Sequence, residues 1–149
     1  MKSRSIYINN AFTLIETLIV LSIITVLASV GIIVGVSSYQ RTVFQDYQQE
    51  VIDLLHRARS RAMSGIAGTD HGVHFEPHQA ILFRGISFAA RDPVFDEPVE
   101  LGSAITATPP GEIIFSRITG NVGSPGTVTL TDETHTMHIE ITSEGGITW

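Results

Sequence analysis

Hydrophobic and polar positions divide the chain into stretches of different period. The first stretch, FTLIETLIVLSIITVLASVGIIVGV, runs from Phe12 to Val36, and Glu16 is its one ionisable residue in 25. A run this long and this apolar predicts a membrane-spanning helix. At about 1.5 Å per residue it reaches roughly 37 Å, enough to cross a hydrocarbon core of about 30 Å with some tilt. Glu16 is the anomaly. A charge deep in a bilayer costs on the order of 2.5–3.5 kcal/mol on insertion scales, so an acid here marks a candidate functional residue.

The second stretch continues without proline from Ser37 to Ile66. Phe44, Tyr47, Val51, Leu55, Ala58 and Ala62 recur at three- and four-residue intervals, which predicts an amphipathic helix with one apolar stripe. Gly65 supplies an expected stop near Ser64. Gly31 and Gly35 are weak points, each about 1 kcal/mol less favourable in a helix than alanine. From Gly72 the period falls to two. Val73 and Phe75 alternate with His74 and Glu76, and Pro77-His78 turns the chain into Ala80–Phe83, so the pair reads as a hairpin. Further strands are predicted at Ile113–Phe115, Thr127–Thr131, Thr136–Thr142 and Ile147–Trp149. The proline-bearing RDPVFDEP, residues 91–98, and the glycine-rich 120–126 read as loops.

Composition narrows this picture modestly. About 110 of the 149 residues follow the apolar run, enough for a modest core without staples. There is no cysteine, hence no disulfide, and the net charge is −6. An acidic balance disfavours nucleic acid as a partner without excluding it. Lys2 and Arg4 are the charges of the leader MKSRSIYINNA. Positive charge ahead of an apolar run keeps the amino end cytoplasmic. An uncleaved signal anchor would fit the same pattern. A secretory signal fits less well, because its apolar region is shorter and Ala28–Gly31 is a weak cut site.

The junction Ala11-Phe12-Thr13-Leu14-Ile15-Glu16, between a short basic leader and about twenty apolar residues, resembles the class III signal of type IV pilins and pseudopilins. That resemblance implies cleavage by a prepilin peptidase between Ala11 and Phe12, with N-methylation of the new first residue, Phe12. Ala11 departs from the glycine usual before the cut. The resemblance also implies that Glu16 acts as an assembly register, its carboxylate pairing with the Phe12 amine of a neighbouring subunit. A simpler reading of Glu16 is an acid placed to suit the dipole at a helix start.

The helix end LLHRARSRAMSG, residues 54–65, is similar to that of GspH/FimT-type minor pilins, as is the late pattern Ile139-Glu140-Ile141 through Gly145, Gly146 and Ile147. Arg57, Arg59 and Arg61 within it read as a solvated helix end rather than a nucleic-acid patch. The whole then implies an α+β, pilin-like fold with a long N-terminal helix packed on antiparallel β-sheets. Its expected parts are a leader (1–11), a membrane-spanning and filament-core helix (12–36), an amphipathic continuation (37–66) and a β-rich domain (67–149). The function implied is that of a minor subunit of a type II secretion pseudopilus near its tip, with a type IV pilus role in adhesion or DNA uptake as the alternative. Implied partners are other pilins or pseudopilins, the prepilin peptidase, an inner-membrane assembly platform and, before assembly, membrane lipid. The implied location is the inner membrane, single-pass, with the amino end cytoplasmic.

Six histidines raise the question of a metal site. His71, His74 and His78 cluster, as do His135 and His138, and His74 and His138 would meet if their strands paired. Their spacings match no zinc pattern, and exposed polar positions account for them. With no nucleophile–base set, paired carboxylates or phosphate loop, the expectation is no catalytic residue, no metal, no cofactor and no enzyme activity.

Overall fold

The computed structural model describes residues 12–103, 105–108 and 111–149, excluding the side chains of 30–38. The expected leader, including Ala11, lies outside the described residues. The chain forms two compact units, residues 1–40 and 41–149.

In the first unit, helix α1 (Leu14–Met63) begins two residues after Phe12. Its large aliphatic side chains from Leu14 to Leu27 are 48–81% exposed. Hydroxyls in this run bond back to the preceding turn: Thr17 to the Leu14 carbonyl (2.9 Å), Ser22 to Ile19 (2.7 Å), Thr25 to Ser22 (2.8 Å) and Ser29 to Val26 (2.7 Å). Polar atoms satisfied in this way need no water, as an apolar environment demands. Among the described residues no helix is long and apolar enough to cross a membrane. The expected span, 12–36, reaches beyond the described side chains. The helix runs unbroken past Gly31 and Gly35.

The second unit begins within α1. Phe44, Val51, Leu55, Ala58 and Ala62 are buried, joined by Ile52 and Leu54, and Tyr47 packs against them. The expected stripe is therefore the core-facing side of the helix. The helix stops as glycine chemistry requires. The Ser64 N–H reaches the Ser60 carbonyl, the Gly65 N–H reaches Ala62, and Gly65 sits at φ 66°. A short 3-10 turn (Ile66–Gly68) leads into the sheets.

Among the described residues, eight strands form two four-stranded sheets. They are β1 (His71–Glu76), β2 (Gln79–Arg84), β3 (Glu97–Glu100), β4 (Thr106–Thr108), β5 (Glu112–Phe115), β6 (Gly126–Thr131), β7 (Thr136–Ile141) and β8 (Ile147–Thr148). The spatial orders are β3-β2-β1-β5 and β4-β6-β7-β8, with every pairing antiparallel. The β1–β2 hairpin turns at Pro77-His78, with Glu76 opposite Gln79, as the alternation predicts. On β7, Ile139 and Ile141 are buried while His138 and Glu140 are exposed. One cluster of Leu55, Ala58, Val73, Phe115, Leu130 and Ile139 joins the helix to both sheets. The class is α+β, a long N-terminal helix with antiparallel sheets packed on its second half.

Two strands depart from expectation. Residues 91–98, read as a loop, contain a 3-10 turn (Pro93–Phe95) and the start of β3. Pro98 is tolerated there because β3 is an edge strand, where a missing N–H interrupts no further ladder. Strand β4 lies in the stretch with the weakest pattern.

Candidate functional site

The amino-terminal site is built by a helix start. Thr13 stands just before the helix, and its carbonyl accepts from the N–H groups of Glu16 (3.1 Å) and Thr17 (3.2 Å). Its hydroxyl accepts from the Glu16 N–H at 3.3 Å. Thr13 is thus the N-cap and Glu16 the third helical residue, the T-x-x-E spacing of a capping box. The cap leaves Phe12 outside the helix and 76% exposed. The Glu16 carboxylate is exposed and has no hydrogen-bond or ion-pair partner among the described residues. Every other polar side chain from Thr13 to Ser29 has one. The site can therefore offer an unpaired anion on an otherwise aliphatic surface.

The histidines do not converge. His74 lies in the first sheet, stacked on Phe88 with ring centroids 3.8 Å apart. His138 lies in the second, 3.0 Å from the Thr129 hydroxyl. His78 bonds the Ile105 carbonyl at 2.7 Å. His135 stacks on Phe44 and pairs with Asp132. Among the described residues no three His, Asp or Glu side chains are placed to hold a metal.

His71 is the buried one, 2% exposed, with Nδ1 unpartnered. Burial and the Arg61 charge push its pKa below the ordinary 6.5; the Thr69 carbonyl opposes this, Arg84 adds to it and Asp70 opposes it. The unfolded chain then takes up a proton at His71 at a higher pH than the folded one. Stability is expected to fall as pH drops below about 6.5 and to level off once the folded form also protonates. His71→Gln should flatten that part of the curve in urea unfolding series. An unchanged slope would assign it to other groups.

The three arginines near the helix end each reach an acceptor on the β-rich part of the chain, while Arg57 stays 47% exposed. Arg61 meets both Glu97 oxygens (2.6 and 3.1 Å), with Arg57 at 3.4 Å from the same carboxylate. Arg59 donates to the Glu144 carbonyl at 3.3 Å and packs beside Gly120 and Gly145. A cavity of about 270 Å³ lies between Arg61, His71, Arg84, Phe95 and Glu97; Arg61 pairs with Glu97 inside it, and Arg84 pairs with Asp92 and stacks on Phe95. The Arg59 contact was not legible, since its partner lies 85 residues away. The Thr13 cap was legible in T-x-x-E itself.

The capped start coincides with a family signature. Residues 8–32 match the model of the prokaryotic N-terminal methylation motif. The amino-terminal segment carries a prokaryotic N-terminal methylation motif. No curated protein sequence matches this chain. Among solved structures it is similar to the minor pseudopilin EpsH from the Type 2 Secretion System of Vibrio cholerae, at 12% identity and a TM-score of 0.47, over 73% of this chain and 93% of that one.

Proposed function

We propose that the chain is a minor subunit of a type II secretion pseudopilus, assembled into a helical filament near its tip. The observation that carries this is the methylation motif seated on a capped, aliphatic helix start whose one carboxylate is unpartnered. In this reading Lys2 and Arg4 hold the amino end in the cytoplasm, and 12–36 anchors the precursor in the inner membrane with the β-rich domain outside. Prepilin peptidase then cuts between Ala11 and Phe12 and methylates Phe12. On assembly the aliphatic surface exchanges lipid for the helices of neighbouring subunits, and Glu16 meets the Phe12 amine of one of them.

Deleting the gene in its host tests the choice of machine. Loss of secretion of folded exoproteins, with surface pili retained, is the expected result. Loss of pili with normal secretion would move the chain to a type IV pilus instead.

A further inference from the structure

The cavity of about 270 Å³ beside β2 and β3 combines apolar and cationic side chains. Ile66, Val94 and Phe95 line it while staying 50%, 83% and 45% exposed. Exposed apolar side chains scattered singly need no explanation, but three around one cavity mark a contact site. The ion pairs about it are unbalanced. Arg57 and Arg61 share Glu97, Arg84 meets Asp92 and Arg91 meets Asp96, so four cations divide three carboxylates in a chain of net charge −6. Arg84 holds the longest of these pairs, 3.7 Å to an Asp92 side chain that is 52% exposed. Its guanidinium lies over the Phe95 ring, 3.4 Å from the centroid, and donates no hydrogen bond among the described residues. His71 lines the same cavity, buried, with Nδ1 unpartnered.

We propose that this cavity binds a peptide segment of another protein through one acidic side chain with aliphatic neighbours. The carboxylate meets the free guanidinium edge of Arg84 beside His71, and the aliphatic groups cover Ile66, Val94 and Phe95. Charge selects this occupant. A guanidinium held on an aromatic ring offers a fork that fits a carboxylate, and the local excess of positive charge opposes a cation. Size points the same way. Whole small ligands fill about 300–1,000 Å³, so this smaller cavity suits one side chain of a larger partner. A bound carboxylate also offsets the Arg61 and Arg84 charges that bear on His71. The site belongs to the β-rich unit and does not depend on which machine the chain serves.

The probe is the capped peptide acetyl-Leu-Glu-Leu-amide, titrated into the full chain in detergent. Binding is followed by NMR through the Val94 methyl and His71 ring signals. The glutamine counterpart of the peptide and free isocaproate are titrated alongside. The expected result is saturable binding at Val94 and His71, about tenfold tighter than the glutamine peptide, the share of a hydrogen bond to a charged group. Arg84→Gln should cost a similar factor. Val94→Ser, at an exposed rim position, should cost about threefold. Ile86→Ser, 70% exposed but outside the cavity, should change nothing. Should Arg84→Gln fail to fold, the two peptides and Val94→Ser decide. Equal binding of the two peptides, binding untouched by Val94→Ser, or no saturable binding would overturn the proposal. Isocaproate binding tighter than the peptide would also overturn it, leaving a site for free small acids.

Discussion

Glu16→Ala is expected to leave the chain membrane-inserted and cleaved but to exclude it from filaments. The physical reason is the proposed pairing. Once neighbouring helices cover the aliphatic surface around Glu16 and Phe12, a carboxylate and an amine are both removed from water. Removing one partner of such a pair leaves the other buried and unpaired, at a cost of about 3–5 kcal/mol. That corresponds to a loss of roughly two to three and a half orders of magnitude in incorporation. In the single chain Glu16 is exposed, so the substitution disturbs no contact of its own. Glu16→Gln separates this from helix capping. Glutamine suits the third position of a capping box as glutamate does, yet carries no charge. Pairing predicts that both variants stay in the membrane fraction when filaments are sheared off and quantified. Normal incorporation of either variant would leave Glu16 as an ordinary helix-start acid.

Gly145→Ala is expected to cost about 3 kcal/mol or more, among the largest effects of any single methyl group in this chain. Gly145 has φ 75°, and a β-carbon there would lie 2.1 Å from the Gly120 carbonyl oxygen and 3.0 Å from Arg59 Nε. The left-handed conformation alone costs a non-glycine residue about 1–2 kcal/mol. The clash adds to this, because the obstacle is backbone. Relieving it displaces the Val122–Ser143 and Thr142–Gly146 backbone bonds, both 2.9 Å, and the Arg59 bond to Glu144. Gly65→Ala is the matched control. Its φ is 66°, but nothing lies within 4 Å of the added carbon, so it should lose only the conformational share, about 1 kcal/mol. Urea unfolding of the full chain in detergent compares the two. Equal losses would show that the Gly120 approach contributes nothing.

The parts of this fold legible in sequence are those whose signal is local. The stripe from Phe44 to Ala62 keeps helical spacing throughout, and the β1–β2 and β6–β7 hairpins keep strict alternation across short turns. Strand β3 was obscured because Pro93 and Pro98 are turn formers by composition, and only the sheet order makes Pro98 an edge residue. Strand β4 has three residues, too few for a period to show. At the site, Glu16 stands out against its apolar background, and Thr13 declares itself by its spacing to Glu16. The arginine partners were not legible, because Glu97 lies 36 residues from Arg61 and Glu144 lies 85 from Arg59. Nor was the separation of His74 from His138, which follows from sheet membership rather than from strand pattern.

The central claim is that the chain becomes a filament subunit by losing its leader and gaining a modified amino terminus. Intact mass and amino-terminal peptide analysis of the chain purified from membranes, after co-expression with a prepilin peptidase, tests this most directly. The account predicts a chain beginning at Phe12 with one added N-methyl group and Glu16 retained. A chain beginning at Met1, or one cut beyond the apolar run near Ser29, would contradict it.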